Sequence, residues 1–86
     1  MSIEEKYKQN NLELQDKVRS EIKNSQTGIS RKSIEQLINI LEELEMAYEQ
    51  RGNRLSFPRF IVDSWDYTDN LGIELLNLAE LYEKLG

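Results

Sequence analysis

The chain has 86 residues, a formal net charge of −5, and neither cysteine nor histidine. This length predicts a single domain with a small core. Without Cys or His, disulfides, the usual zinc and copper ligand sets, and the usual Ser-His or Cys-His nucleophile pairs cannot form. Only carboxylates remain as metal ligands, and we expect no cofactor.

Neither the hydropathy nor the charge of the sequence favours contact with membranes or nucleic acids. No segment approaches the roughly 18 to 20 apolar residues of a membrane span, and residues 1–9 contain no apolar signal sequence, so we expect a cytoplasmic protein. Residues 1–33 hold seven Lys and Arg against five acids, whereas residues 34–86 hold four against eleven. We expect no direct nucleic-acid contact, because that needs clustered Lys and Arg, and we expect attraction to a basic protein.

A first helix is predicted over residues 3–25. Ser2 and Glu5 have the spacing of a capping box, which marks a helix start. Apolar residues then recur on one helical face, at Ile3, Tyr7, Leu14, Val18 and Ile22. Gly28, in a cluster of small polar residues, predicts the first loop.

A second helix is predicted over residues 31–51, with Ser30 as its cap and Gly52 beyond its end. Its apolar residues recur in alternating steps of three and four, at Ile34, Leu37, Leu41, Leu44 and Tyr48. Ile38 widens this face, so about half of the circumference is apolar. We therefore predict that this helix lies at the centre of the fold.

A third helix is predicted over residues 57–85, where the apolar spacing continues from Phe57 to Leu85. Capping-type residues and Gly72 weaken it around residues 67–72. The fold class is thus all-α, and we predict an antiparallel three-helix bundle with a long, kinked third helix. A break near residues 67–70 would give a four-helix bundle instead.

Acidic residues crowd two regions of the predicted bundle. The edge of the second helix carries four glutamates with no basic residue among them, and Trp65 lies among three aspartates. Either Lys and Arg of the first helix, or water and salt, neutralise the glutamates, or this edge binds a basic partner. Trp65 either completes the core or anchors a partner. The candidate partner-binding residues are Glu35, Glu42, Glu45, Glu49, Asp63, Trp65, Asp66 and Asp69.

A catalytic alternative rests on two carboxylate pairs. Glu42 and Glu45 form E-x-x-E, and Asp66 and Asp69 form D-x-x-D on the next predicted helix. Four converging carboxylates can hold Mg²⁺ through oxygen ligands. The arrangement resembles that of the all-α nucleoside triphosphate pyrophosphatases, which pair E-x-x-E with E-x-x-D, although Asp66 stands in place of the family's glutamate. The resemblance implies a Mg²⁺-dependent nucleotide pyrophosphatase as an alternative.

Three apolar residues depart from the main apolar faces of their helices. Leu12, Ile73 and Leu76 would mark a homodimer surface, or the contact of a structural subunit in a helical oligomer. By size and charge the chain resembles bacterial immunity or inhibitor proteins, which cover the basic site of a toxin, nuclease or nucleic-acid-binding protein. We therefore expect a small acidic protein-binding domain of this kind, without catalytic activity.

Overall fold

The computed structural model describes residues 2–85, which form four α-helices. These are α1 (Ile3–Gln26), α2 (Ile34–Glu49), α3 (Phe57–Ser64) and α4 (Asn70–Leu85). The prediction of an all-α fold is confirmed. The three-helix bundle is wrong, because the predicted third helix is two helices, as in the four-helix alternative. Within residues 2–85, no helix carries an apolar stretch that would cross a membrane.

Local hydrogen bonds break the predicted third helix between residues 65 and 69. Trp65 leaves the helical conformation, with φ −93° and ψ 153°. The Asp66 carboxylate accepts hydrogen bonds from the backbone and the hydroxyl of Thr68, at 2.9 and 2.7 Å. The Asp69 carboxylate accepts one from the Gly72 amide at 3.0 Å and so caps α4. Such short side chains compete with the helix for backbone groups, and here they end one helix and start the next.

The four helices alternate in direction. The start of α1 meets the end of α2, where Tyr7 bonds Ala47. Tyr7 also packs against Tyr82 at the end of α4, with ring centroids 5.6 Å apart. The start of α3 lies beside Glu43 in the second half of α2, which accepts a bond from the Phe57 amide, and Trp65 just after α3 donates to Gln36 at the start of α2. Each helix therefore lies antiparallel to the helices beside it, with α3 shorter than the rest.

The second helix is shorter at both ends than its predicted span of 31–51. Ser33, rather than Ser30, caps α2, because its hydroxyl accepts a hydrogen bond from the Gln36 amide at 3.3 Å. At the other end, the Arg51 guanidinium donates to the carbonyls of Ala47 and Tyr48, at 2.9 and 3.2 Å. A side chain outside the helix thus satisfies carbonyls that the last turn leaves free.

Polar side chains lie inside the contact between α1 and α2. Tyr7 Oη donates to the Ala47 carbonyl at 2.7 Å, and Asn11 Nδ2 donates to the Leu44 carbonyl at 3.0 Å. Gln15 Nε2 donates in turn to Asn11 Oδ1 at 2.7 Å. Asn11 is fully buried. Buried polar groups of this kind cost free energy unless they are paired, so these bonds tie α1 to one side of the α2 backbone.

Replacing Asn11 by alanine should lower the free energy of unfolding by about 1 to 3 kcal/mol, because it removes the bond to Leu44 and leaves Gln15 without its buried acceptor. Urea unfolding followed by circular dichroism measures this. Asn10→Ala is the matched control, since Asn10 is only half-buried and the same residue type is lost from the same helix. Equal small effects of the two substitutions would contradict the assigned role of Asn11.

Candidate functional site

The outward side of α2 carries a line of glutamates around one apolar residue. Four residues of α2 are buried, at Leu37, Ile40, Leu44 and Ala47. On the opposite side, exposed residues recur in steps of three and four, at Glu35, Ile38, Glu42, Glu45 and Glu49. This spacing aligns them along one side of a helix. We call these five residues the acidic stripe.

Ile38 is 41% exposed, so its predicted place in the core face is wrong. The reason is the direction in which α2 is packed. Ile40 and Ala47, at the other edge of the predicted apolar face, are both fully buried. The centre of the buried side is thereby turned toward them, and Ile38 is turned out among the glutamates.

Within residues 2–85, no lysine or arginine forms an ion pair with any glutamate of the acidic stripe. The cations that are paired bind other carboxylates: Lys17 binds Glu74 at 2.9 Å, and Arg51 binds Glu4 at 2.6 Å. Lys8 Nζ of α1 lies 5.4 Å from the centre of the Tyr48 ring, in a cation–π contact. Neutralisation of the stripe by ion pairs from the first helix is therefore not found in the described chain.

A fifth glutamate of α2 shows what a structural carboxylate looks like in this fold. Glu43 accepts hydrogen bonds from the amides of Ser56 and Phe57, at 2.9 and 3.0 Å, and from the Ser56 hydroxyl. It therefore caps the N-terminus of α3, where a negative charge is favourable. The glutamates of the stripe make no such bonds within residues 2–85.

The position of the stripe costs stability in the free protein. Glu42 and Glu45 are three residues apart, Glu45 and Glu49 four, and each such like-charged pair costs about 0.2 to 0.5 kcal/mol. Glu49 is the last residue of α2, whose last turn has no basic residue. The helix dipole disfavours a negative charge at that end. Folding thus gives no reason for Glu42, Glu45 and Glu49, whereas Glu35 lies in the first turn of α2, where the helix dipole favours a negative charge.

The second acidic region is a braced turn. Trp65 is half-buried, and its Nε1 donates to Gln36 Oε1 at 3.3 Å. Lys32 Nζ lies 5.1 Å from the centre of the Trp65 ring and pairs with Asp69 and Glu21, at 2.7 Å each. Trp65 and Asp69, both predicted to bind a partner, are therefore already held by α2, by α1 and by the loop before α2.

The charges in this turn are stabilised by their hydrogen bonds. Partial burial raises the pKa of Asp69, but hydrogen bonds from Lys32 and the Gly72 amide outweigh it and leave the pKa below its ordinary value. Burial likewise lowers the pKa of Lys32, and the bonds to Asp69 and Glu21 reverse this and raise it. The bonds from Thr68 lower the pKa of the exposed Asp66.

The four carboxylates of the catalytic alternative are not brought together as a metal site. Asp69 is bound to Lys32, Asp66 is bonded to Thr68, and Glu42 and Glu45 lie on the outward side of α2. Among residues 2–85, no group of three or more Asp and Glu has the geometry to hold a metal ion. Asp63 is exposed, also without an ion pair in this part of the chain.

The three apolar residues considered for a dimer do not share one surface. Leu12 is half-exposed on α1, where it points away from Leu14, which is buried two residues later. Ile73 and Leu76 line a small cleft between α3 and α4, and no α1 residue borders it. The exposed Val62 and Tyr67 border the same cleft. In the sequence, the exposure of Val62 was indicated by its departure from the apolar spacing of Phe57 and Ile61.

Comparison with protein-family models, with curated proteins and with solved structures finds no match for this chain. The function is therefore inferred from the charges and contacts of the protein itself.

Replacing Asp69 by asparagine should change how stability depends on pH. Because the native pKa of Asp69 lies below its unfolded value of about 4, its contribution is complete above that pH and is lost as the pH falls through the native pKa. At pH 7 the variant should be less stable by about 1 kcal/mol, while the amide can still cap α4. The deficit relative to the unmodified chain should shrink below about pH 4.

Urea unfolding at a series of pH values measures this effect. Asp63→Asn is the matched control, since Asp63 is exposed, and its curve should follow that of the unmodified chain. A deficit of Asp69→Asn that is the same at every pH would show that the charge of Asp69 is not what stabilises the turn.

Proposed function

We propose that this chain is a small protein-binding domain without catalytic activity, whose acidic stripe binds the basic face of another protein. The observation that carries the proposal is the state of the stripe. Its four glutamates are exposed and make no ion pair within residues 2–85, and three of them, Glu42, Glu45 and Glu49, repel one another. A partner rich in Lys and Arg would relieve this repulsion on binding.

The stripe combines electrostatic steering of a basic partner with an apolar surface whose burial is favourable. The negative potential of aligned carboxylates raises the rate of encounter with a basic protein, and salt weakens this effect. Ile38, 41% exposed, lies among the glutamates and offers apolar area to be buried at the centre of the contact. The helix that carries both is held by α1 on one side and by α3 on another, so little order would be lost on binding.

We further propose that binding inhibits the partner. The basic faces of nucleases, toxins and other nucleic-acid-binding proteins are the surfaces that contact phosphates. A rigid line of carboxylates would compete with phosphates for the same side chains. This fits an immunity or inhibitor type of protein. The net charge of this chain, −5, is opposite in sign to the basic face of such a target.

The double substitution Glu42→Lys with Glu49→Lys should abolish partner binding without unfolding the domain, because both side chains are exposed and unpaired. Immobilised protein captures the partner from an extract of its own cells, and the captured partner is purified for titration calorimetry. We expect a partner of basic isoelectric point whose affinity falls at least about tenfold between 50 and 300 mM salt.

Glu80→Lys with Glu83→Lys is the matched control, since it changes the net charge equally through exposed glutamates of α4. The partner should bind this control with nearly unchanged affinity. Equal loss with both pairs would mean that only net charge matters, and retention by the Glu42/Glu49 variant would refute a docking role for the stripe.

A further inference from the structure

The cleft between α3 and α4 is an apolar site on the surface of the protein, with a volume of about 130 Å³. Its lining includes Val62 of α3 and Ile73 of α4, which are 69% and 43% exposed, and Tyr67 of the intervening turn, which is 90% exposed. A cavity of about 150 Å³ lined by aliphatic and aromatic side chains is large enough for benzene. The cleft therefore has room for one aliphatic side chain of four or so carbons.

The floor of the cleft is fixed by a close approach of the two helices. A Cβ atom at Gly72 would lie 3.2 Å from Trp65 Cε3 and 3.4 Å from Ile61 Cγ2. Glycine thus lets α4 pack directly on the end of α3. Gly72, Ile61 and Trp65 all line the cleft, so this close contact forms part of its wall.

The turn that carries Tyr67 is ordered before anything binds. Asp66 is bonded to the backbone and hydroxyl of Thr68, and Trp65 is held by Gln36 and Lys32. Because the backbone that carries Tyr67 is already ordered, less conformational entropy is lost when this side chain binds, and Tyr is enriched among interface hot spots. In a free protein this exposure has only a cost.

The charge around the cleft indicates what occupies it. Asp66 is part of the lining, Asp63 directly follows the lining residue Val62 in the sequence, and no basic residue lines the cleft within the described chain. A second copy of this chain would bring the same aspartates against each other. A basic segment would instead pair with them while its apolar side chain enters the cleft.

We propose that the cleft between α3 and α4 is a binding site for one leucine-sized side chain flanked by Lys or Arg in a partner protein. The inference rests on the proposed function only in taking the partner to be basic. No α2 residue lines the cleft, so this site is separate from the acidic stripe.

Two pentapeptides of equal charge test the proposal, Lys-Lys-Leu-Lys-Lys and Lys-Lys-Ser-Lys-Lys, titrated into ¹⁵N-labelled protein. We expect the leucine peptide to shift the amides of Val62, Tyr67 and Ile73 and to bind about fivefold more tightly than the serine peptide, since only leucine buries apolar area. Val62→Ser and, separately, Tyr67→Ser should reduce that preference to less than about twofold. Tyr67 is almost fully exposed, so its substitution leaves the fold intact.

Equal binding of the two peptides, or leucine-dependent shifts elsewhere on the protein, would overturn the inference. So would light scattering that shows a dimer dissociated by Val62→Ser, because the occupant would then be a second copy. The Glu42→Lys and Glu49→Lys variant separates the two proposals. This variant should still prefer the leucine peptide. If it loses partner capture while the unmodified protein binds both peptides equally, the docking role of the acidic stripe is supported and the cleft proposal is refuted.

Discussion

The hydrogen bonds from α1 to the backbone of α2 set the rotation of α2 in the bundle. Apolar contacts are not directional, and a helix whose apolar face is this broad can pack in more than one rotation. Tyr7 and Asn11 reach two particular carbonyls, those of Ala47 and Leu44. These bonds form only when that side of α2 faces α1. Buried polar pairs thus select the rotation that turns Ile40 inward and Ile38 outward.

The same rotation separates two classes of glutamate on one helix. Glu43 lies toward α3 and caps it, so its charge is used by the fold. Glu42, its neighbour in sequence, is turned about 100° away, is exposed, and makes no ion pair within the described chain. The stripe thus follows from how α2 is held, and no Lys or Arg of the described chain forms an ion pair with its glutamates. The cations nearest in sequence, Lys32 and Arg51, are bound to other carboxylates.

The sequence allowed the class of fold and the position of the glutamates to be predicted, because both follow from helical periodicity. The break between α3 and α4 was harder to predict, since the apolar spacing runs through it, and only the bonds of Asp66 and Asp69 show that the backbone turns.

The ion pair of Asp69 could not be predicted from a sequence pattern, because its partner Lys32 is 37 positions away in the sequence. The core role of Asn11 was likewise hidden, since asparagine in a helix is ordinarily unfavourable and here it is buried and paired. The cleft was predicted only in part. Ile73 and Leu76 depart from the main apolar face of their helix, but only the turn between α3 and α4 brings Val62 and Tyr67 beside them.

The central claim is that Glu42, Glu45 and Glu49 of the acidic stripe do not stabilise the fold. Replacing Glu42, Glu45 and Glu49 together by glutamine tests it most directly, because this removes the charge and keeps nearly the same size and helix propensity. Urea unfolding at low salt should show a free energy of unfolding that is unchanged or higher by up to about 1 kcal/mol, as two repulsive pairs and an unfavourable terminal charge are lost. A loss of more than about 1 kcal/mol would contradict the account, since it would mean that cations of the same chain answer these charges.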